Sequence, residues 1–245
     1  LTVGSGCAWG RRLWSHGFSA RAVWRPINTD QTTVHFGFSA VARTPERVTS
    51  DDGIVAVGGR SGSVVENRKF IAGGFSGIDH YTICDLEAAY RDDRFFVQGE
   101  ALCSTFATKE RPGVITNGEK TYNIDGSESV SFWGGYLVGS YMLRGKQRSY
   151  SNSGAVFSNV NNEVEPGGNV ELMIGASAID TQGYMGQAYE ALGAVNWYPN
   201  TAMMLGLSYT FTSFSKDAVA LGRLRSNSDD GLSYHTLQLR AQFVF

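Results

Sequence analysis

Hydrophobic and polar residues alternate with a period of two along most of this chain. From Leu237 one face reads Leu237, Leu239, Ala241, Phe243, Phe245, and the other Thr236, Gln238, Arg240, Gln242. From Met203 one face reads Met203, Leu205, Leu207, Tyr209, Phe211, and the other Met204, Gly206, Ser208, Thr210, Thr212. Successive side chains of a strand point to opposite faces, so this period specifies strands rather than helices. It predicts about nine strands of the length a tilted membrane strand needs. They lie near 17–26, 33–43, 78–91, 94–106, 129–145, 168–180, 187–198, 201–214 and 232–245. A soluble sandwich alternates too, but here Trp24, Tyr90, Trp133, Trp197, Tyr198 and Phe245 stand near the ends of the strands. Aromatic girdles of that kind mark the two interfaces of a membrane barrel. The last strand runs to Phe245, where a soluble domain more often has a polar, frayed tail. The expected fold is all-β, a transmembrane antiparallel barrel.

The connections orient the strands. Asp92-Asp93 and Pro199-Asn200 read as tight turns and Pro26 to Thr32 is short, as on the periplasmic side of a barrel. The stretches 44–77, 107–128 and 215–231 are long and polar, as outside. The connection 146–167 is long, although this order places it in the periplasm. Nine is an odd number, and an open sheet edge is not tolerated in lipid. The expectation is therefore that residues 1–245 are the C-terminal portion of one longer barrel.

Composition changes this picture little. Charged residues are 18% of the chain, against about 25% in soluble domains. The 30 glycines against 5 prolines suit many strands joined by turns. The net charge of −2 gives no general attraction for nucleic acid. No stretch is apolar for the roughly 18 residues of a membrane helix. Cys7, Cys84 and Cys103 fit no metal spacing. With a turn at Asp92-Asp93, Cys84 opposes Ala101, which puts Cys103 one diagonal away on the lipid face, with both thiols free.

Several segments resemble one family in order along nearly the whole chain. Phe18-Ser-Ala-Arg-Ala-Val-Trp-Arg-Pro26 and Val34-His-Phe-Gly-Phe-Ser39 resemble the first strand pair of the phosphate-selective porin O and P family. Asp85-Leu-Glu-Ala-Ala-Tyr90 with Phe96-Val-Gln-Gly-Glu100, the strand Gly135 to Lys146, and Asn196-Trp-Tyr-Pro-Asn200 resemble its later segments. Arg144 and Lys146 depart from it, standing where the family usually has Thr and Glu. The resemblance implies a barrel of about 16 strands, usually trimeric, in the outer membrane of a Gram-negative bacterium. It implies passage of anions such as phosphate or polyphosphate, with no cofactor.

Candidate pore residues follow from the faces. Phe18, Ala20, Ala22 and Trp24 point to lipid, so Arg21 and Arg25 point inward. His35, Ser39 and Arg43 do the same on the next strand. Symmetric pairing would set Arg25 across from His35 and Arg21 across from Ser39. Arg21 and Arg25 are about 13 Å apart along the strand, and neither strand carries an acid. Arginine rows favour anions, and guanidinium forks bind phosphate oxygens. Arg21, at mid-height, is expected to matter more than Arg25 near the rim. Arg240 joins these on the wall, and Arg47, Arg60, Arg68 and Lys69 lie in the 44–77 loop, which also carries Ile54 to Val57 and is expected either to fold into the lumen and narrow the pore or to pack on the rim. Asp85, Glu87, Glu100, Glu171 and Glu190 also point inward, so the alternative is that the arginines pair with them and stiffen the wall.

No enzyme signature emerges. Gly59-Arg-Ser-Gly62 is one position short of a nucleophile elbow, and His16, His35, His80 and His235 have no ligand spacing, so neither a catalytic residue nor a metal is assigned. Two other readings stay open: a general or sugar-type diffusion porin, and a soluble β-sandwich or jelly-roll binding domain.

Overall fold

The computed structural model describes residues 16–45, 55–60, 69–108, 113–117, 120–124, 128–160, 163–218 and 231–243. The strands in chain order are β1 (Gly17–Asn28), β2 (Thr33–Arg43), β3 (Val55–Arg60), β4 (Lys69–Ser76), β5 (Ile78–Arg91), β6 (Phe95–Thr108), β7 (Gly113–Asn117), β8 (Lys120–Ile124), β9 (Ser129–Arg144), β10 (Tyr150–Ser151), β11 (Val156–Phe157), β12 (Asn169–Asp180), β13 (Gln187–Asn200), β14 (Met203–Phe214) and β15 (Leu232–Phe243). Nine of them form one sheet in the order β1-β2-β5-β6-β9-β12-β13-β14-β15, every pair antiparallel. The nine agree in order and position with those read from the alternation. The sheet is open, with β1 and β15 at its two edges.

The two faces differ as a membrane barrel requires. Trp24, Leu86, Trp133, Leu137, Ile174, Tyr189, Trp197, Leu207 and Leu239 are all exposed on one face. Leu239 reaches 86% exposure and Ile174 72%. A soluble monomer rarely exposes so continuous an apolar surface, whereas this is the side that lipid covers. The opposite face carries Arg21, His35, Glu87, Glu100, Tyr136, Glu171 and Glu190.

Register departs from the sequence reading in three places. Asp92 donates its backbone N–H to Phe95 at 2.8 Å, so the two-residue turn is Asp93-Arg94. That single step moves β6 by two positions against β5, and Cys84 pairs with Cys103 directly rather than with Ala101. Both thiols are free and exposed on the lipid face. Second, Pro26 has no N–H to give the ladder, so Arg25 and Pro26 bulge between the pairs Trp24–Phe36 and Ile27–Val34. Arg21 pairs with Ser39 as expected, but Arg25 has no symmetric partner in His35. Third, Pro199 sits at a like irregularity between Trp197 and Asn200, and the turn falls at Thr201-Ala202.

The 44–77 connection does not stay in solvent. β3 and β4 pair with each other, and β4 with β7 of the next long loop, as a four-stranded sheet β3-β4-β7-β8. Ile71 and Phe75 of β4 are buried against Phe106, Val130 and Phe132, inward-facing residues at the long-loop end of β6 and β9. Phe75 stacks on Phe106 with centroids 4.6 Å apart. The connection 145–168 also turns back over the inner face, at the short-turn end. Gly145 (φ 89°), Gly167 (φ 89°) and Gly168 (φ 88°) make its bends, in a conformation that glycine adopts without steric cost.

Candidate permeation site

The site begins with a missing side chain. Gly37 on β2 pairs directly with Glu87 on β5. A Cβ at Gly37 would collide with the side chain of Glu87. Without it, Glu87 lies across β2 and reaches β1. There its Oε1 accepts from Nη2 of Arg21 at 2.5 Å and from Nε at 2.9 Å. His35 Nε2 stands 3.2 Å from the same oxygen. The row of bases on β1 and β2 therefore has its acid on the neighbouring strand.

The 145–168 connection closes over this cluster with its short hairpin, β10 and β11. Tyr150 on β10 meets His35 Nδ1 through its hydroxyl at 2.8 Å. Phe157 on β11 packs edge-on against Phe96 at 5.0 Å. At the hairpin tip, Arg21 donates to the Ala155 carbonyl at 3.3 Å, and Asn152 Oδ1 accepts from Arg25 at 2.7 Å and from Asn28 at 2.9 Å. The hairpin root is ionic: Arg148 donates to Glu171 at 2.8 Å and lies over the Phe96 ring at 4.3 Å. Glu171, which is 0% exposed, also accepts from the Tyr198 hydroxyl at 2.8 Å. Arg91, on β5, holds the neighbouring turn through the carbonyls of Thr29 and Asp30 at 3.0 Å.

Arg21 and Arg25 consequently differ in electrostatic state. Arg21 is committed to a carboxylate. Arg25 is half-buried, as Arg21 is, but meets neutral groups, the Asn152 amide oxygen and the Tyr150 ring at 5.5 Å. Burial pushes the Tyr150 hydroxyl above its ordinary value of 10.0, against the opposing pull of Arg25 and Arg21. Tyr150 thus stays a neutral neighbour for Arg25 through the physiological range.

The other expected residues lie apart from this cluster. Arg43 pairs with Gly17 at the far end of β2. Arg240 is on β15, exposed, and donates to Gln242 at 2.8 Å. Arg60 and Lys69 are register partners in β3 and β4. Arg47 and Arg68 lie outside the described residues. Arg148, Tyr150, Asn152 and Gly37 were not singled out by sequence reasoning. The available signal was a long connection bounded by Gly145 and by Gly167-Gly168, in a place where the topology wants a tight turn.

On the far side of Glu87, Glu100 pairs with it across β5 and β6. Glu100 accepts from the Tyr136 hydroxyl at 2.6 Å and from Gln98 at 3.1 Å. Asp85, one inward step from Glu87, accepts from Ser39 at 3.4 Å. The inner wall is thus divided, with bases on β1 and the hairpin and acids on β5 and β6.

Such a wall, inside a sheet that is apolar outside, is that of a pore. The profile of the phosphate-selective porin O and P family matches residues 13–245, nearly the whole chain. The chain belongs to this family. No curated protein matches it significantly. The porin is accordingly an outer-membrane channel of the phosphate-selective kind from a Gram-negative bacterium, and its family is one of channels rather than enzymes.

Proposed function

We propose that this chain is the C-terminal portion of a homotrimeric, lipid-embedded barrel through which anions, phosphate or polyphosphate, diffuse passively past Arg25. The observation that carries this reading is the contrast between the two inward arginines of β1. A charge already matched by a carboxylate offers little to a passing anion, while a guanidinium facing neutral partners keeps its field and its forked donors. Arg25 also lies where the hairpin narrows the lumen, so a solute must pass close to it. Arg21, His35 and Arg148 set the position of that constriction, and Arg43 and Arg240, with Arg47, Arg60, Arg68 and Lys69 of the long loop, contribute to the field at the approaches. The acids of β5 and β6 do not forbid anion passage, because bases and acids stand on different parts of the wall.

The test is single-channel chloride conductance in planar bilayers of the full-length porin with phosphate titrated in. Arg25→Ala is expected to weaken phosphate block by about 1.5–3 kcal/mol, the worth of a charge-assisted hydrogen bond, which is tenfold or more in half-blocking concentration. Arg21→Ala is expected to shift the reversal potential toward cations, because it leaves Glu87 unmatched, and Glu87→Gln to shift it the other way. A cation-preferring wild type, or an Arg25→Ala channel with unchanged phosphate block, contradicts the proposal and favours the general diffusion porin.

A further inference from the structure

Between the hairpin and the β5–β6 wall lies a cavity of about 230 Å³, lined on its polar side by Arg21, His35, Glu87, Gln98, Glu100 and Arg148. Arg25 is not part of it. Val156 and Phe157 of the hairpin close one side with apolar surface. We infer that this cavity is a binding subsite for a small neutral polyol or sugar, separate from the anion path.

The polar atoms already engaged decide which ligand the cavity can take. Glu87 accepts through Oε1 from Arg21, and Glu100 accepts through Oε1 from Tyr136 and Gln98. Neither Oε2 carries a hydrogen bond among the described residues, nor does the Gln98 Oε1, whose amide nitrogen serves Glu100 and Tyr136. On the basic side, Arg21 uses Nε and Nη2 and Arg148 uses Nη2, which leaves Nη1 of each without a partner among the described residues. The residues around the cavity therefore hold open acceptors on β5 and β6 and open donors on β1 and at the hairpin root.

Phosphate at neutral pH keeps one or two O–H donors, but it is an anion, and its charge would meet the Glu87 and Glu100 carboxylates here, with Asp85 beside them. An ammonium only donates, and it would meet two guanidinium groups. A hydroxyl does both. Vicinal hydroxyls can accept from an arginine while donating to a carboxylate, and a sugar ring's apolar face can lie on Phe157. The volume suits a solute of hexose size.

The test uses full-length porin in planar bilayers with glucose as the probe. A dimethyl polyether of equal mass, which accepts hydrogen bonds but donates none, is the control. Glucose is expected to lower chloride conductance saturably, and the polyether only in proportion to viscosity. Glu100→Gln is expected to raise the half-blocking glucose concentration by about tenfold, as the loss of one charge-assisted hydrogen bond implies, and to leave phosphate block unchanged. Phe157→Leu, which keeps the hairpin's apolar packing, is expected to weaken glucose block severalfold, and it serves if Glu100→Gln does not fold. Equal effects of glucose and polyether, or glucose block unaltered in both variants, overturn the inference. Phosphate block, read in the same membranes, reports separately on the anion path, so either reading can fail alone.

Discussion

Gly37 shows how a residue without a side chain can set the chemistry of a site. Its pairing with Glu87 across β2 and β5 gives that carboxylate the space to reach Arg21 and His35. Alternation told correctly that Glu87 faces inward, as it did for Arg21, His35, Glu100 and Glu171. It could not tell toward which neighbouring strand a long side chain leans, because that depends on the size of the residue opposite. The basic row was legible, and its neutralisation at Arg21 was not. Gly37→Ala is expected to push Glu87 off β2, at a cost of about 1–3 kcal/mol for overpacking. Urea unfolding from lipid vesicles measures this, and the reversal potential should shift with it as Arg21 loses its partner. The register of β5 against β6 gives a second case. A turn one residue later than Asp92-Asp93 put Cys84 opposite Cys103, so the distance between the two thiols was misjudged while their shared face was not. Thiol titration of the denatured protein is expected to give the same count before and after reduction, since both cysteines are free; an increase of two would show them bonded.

At the scale of elements, the informative piece is the β10–β11 hairpin. Each of its strands is two residues long, too short for any periodicity, and its apolar residues Tyr150 and Phe157 lie within a polar run. The length of the connection was visible in the sequence, but its return into the lumen was not. That path depends on partners from five other strands: Arg25, His35, Arg91, Phe96 and Glu171. Replacing Tyr150 to Phe157 with a short Gly-Ser link is expected to raise single-channel conductance and to reduce phosphate block, because Arg25 then faces a wider lumen. Unchanged conductance would mean that the hairpin does not lie in the permeation path. The Tyr150–His35 contact adds a pH dependence whose sign can be worked out. Burial raises the Tyr150 pKa in the folded protein above the 10.0 of the free side chain, so docking favours the protonated phenol. Its contribution is fully present below pH 10 and is lost as pH rises from 10 through the folded value. Current noise from hairpin fluctuation should therefore grow only in that alkaline range, and Tyr150→Phe should remove the dependence.

At the scale of the whole molecule, the apolar outer face and the two sheet edges place different demands on the surroundings. Leu237, Leu239 and Ile174, each more than 70% exposed, need lipid or detergent. The edges need hydrogen-bonding partners, since an unpaired strand in hydrocarbon leaves a row of N–H and C=O groups unsatisfied at several kcal/mol each. β1 and β15 do not pair with each other in this sheet. Alternation made the strand number and order legible because lipid on one side and water on the other act on every residue of every strand. Closure was not legible in the same way, for it depends on what pairs with the two edges, and alternation within a strand does not specify that. If the chain is part of a longer barrel, as proposed, its further strands are expected to pair with both β1 and β15. The measurement is a comparison of the 245-residue chain with the full-length protein, each refolded in detergent. The full-length barrel should migrate faster on gels before boiling than after, and should give conductance steps of one size. The 245-residue chain should do neither. If it alone resists unfolding in dodecyl sulfate and conducts in uniform steps, then β1 and β15 close on each other in the membrane, and the nine strands are a complete pore.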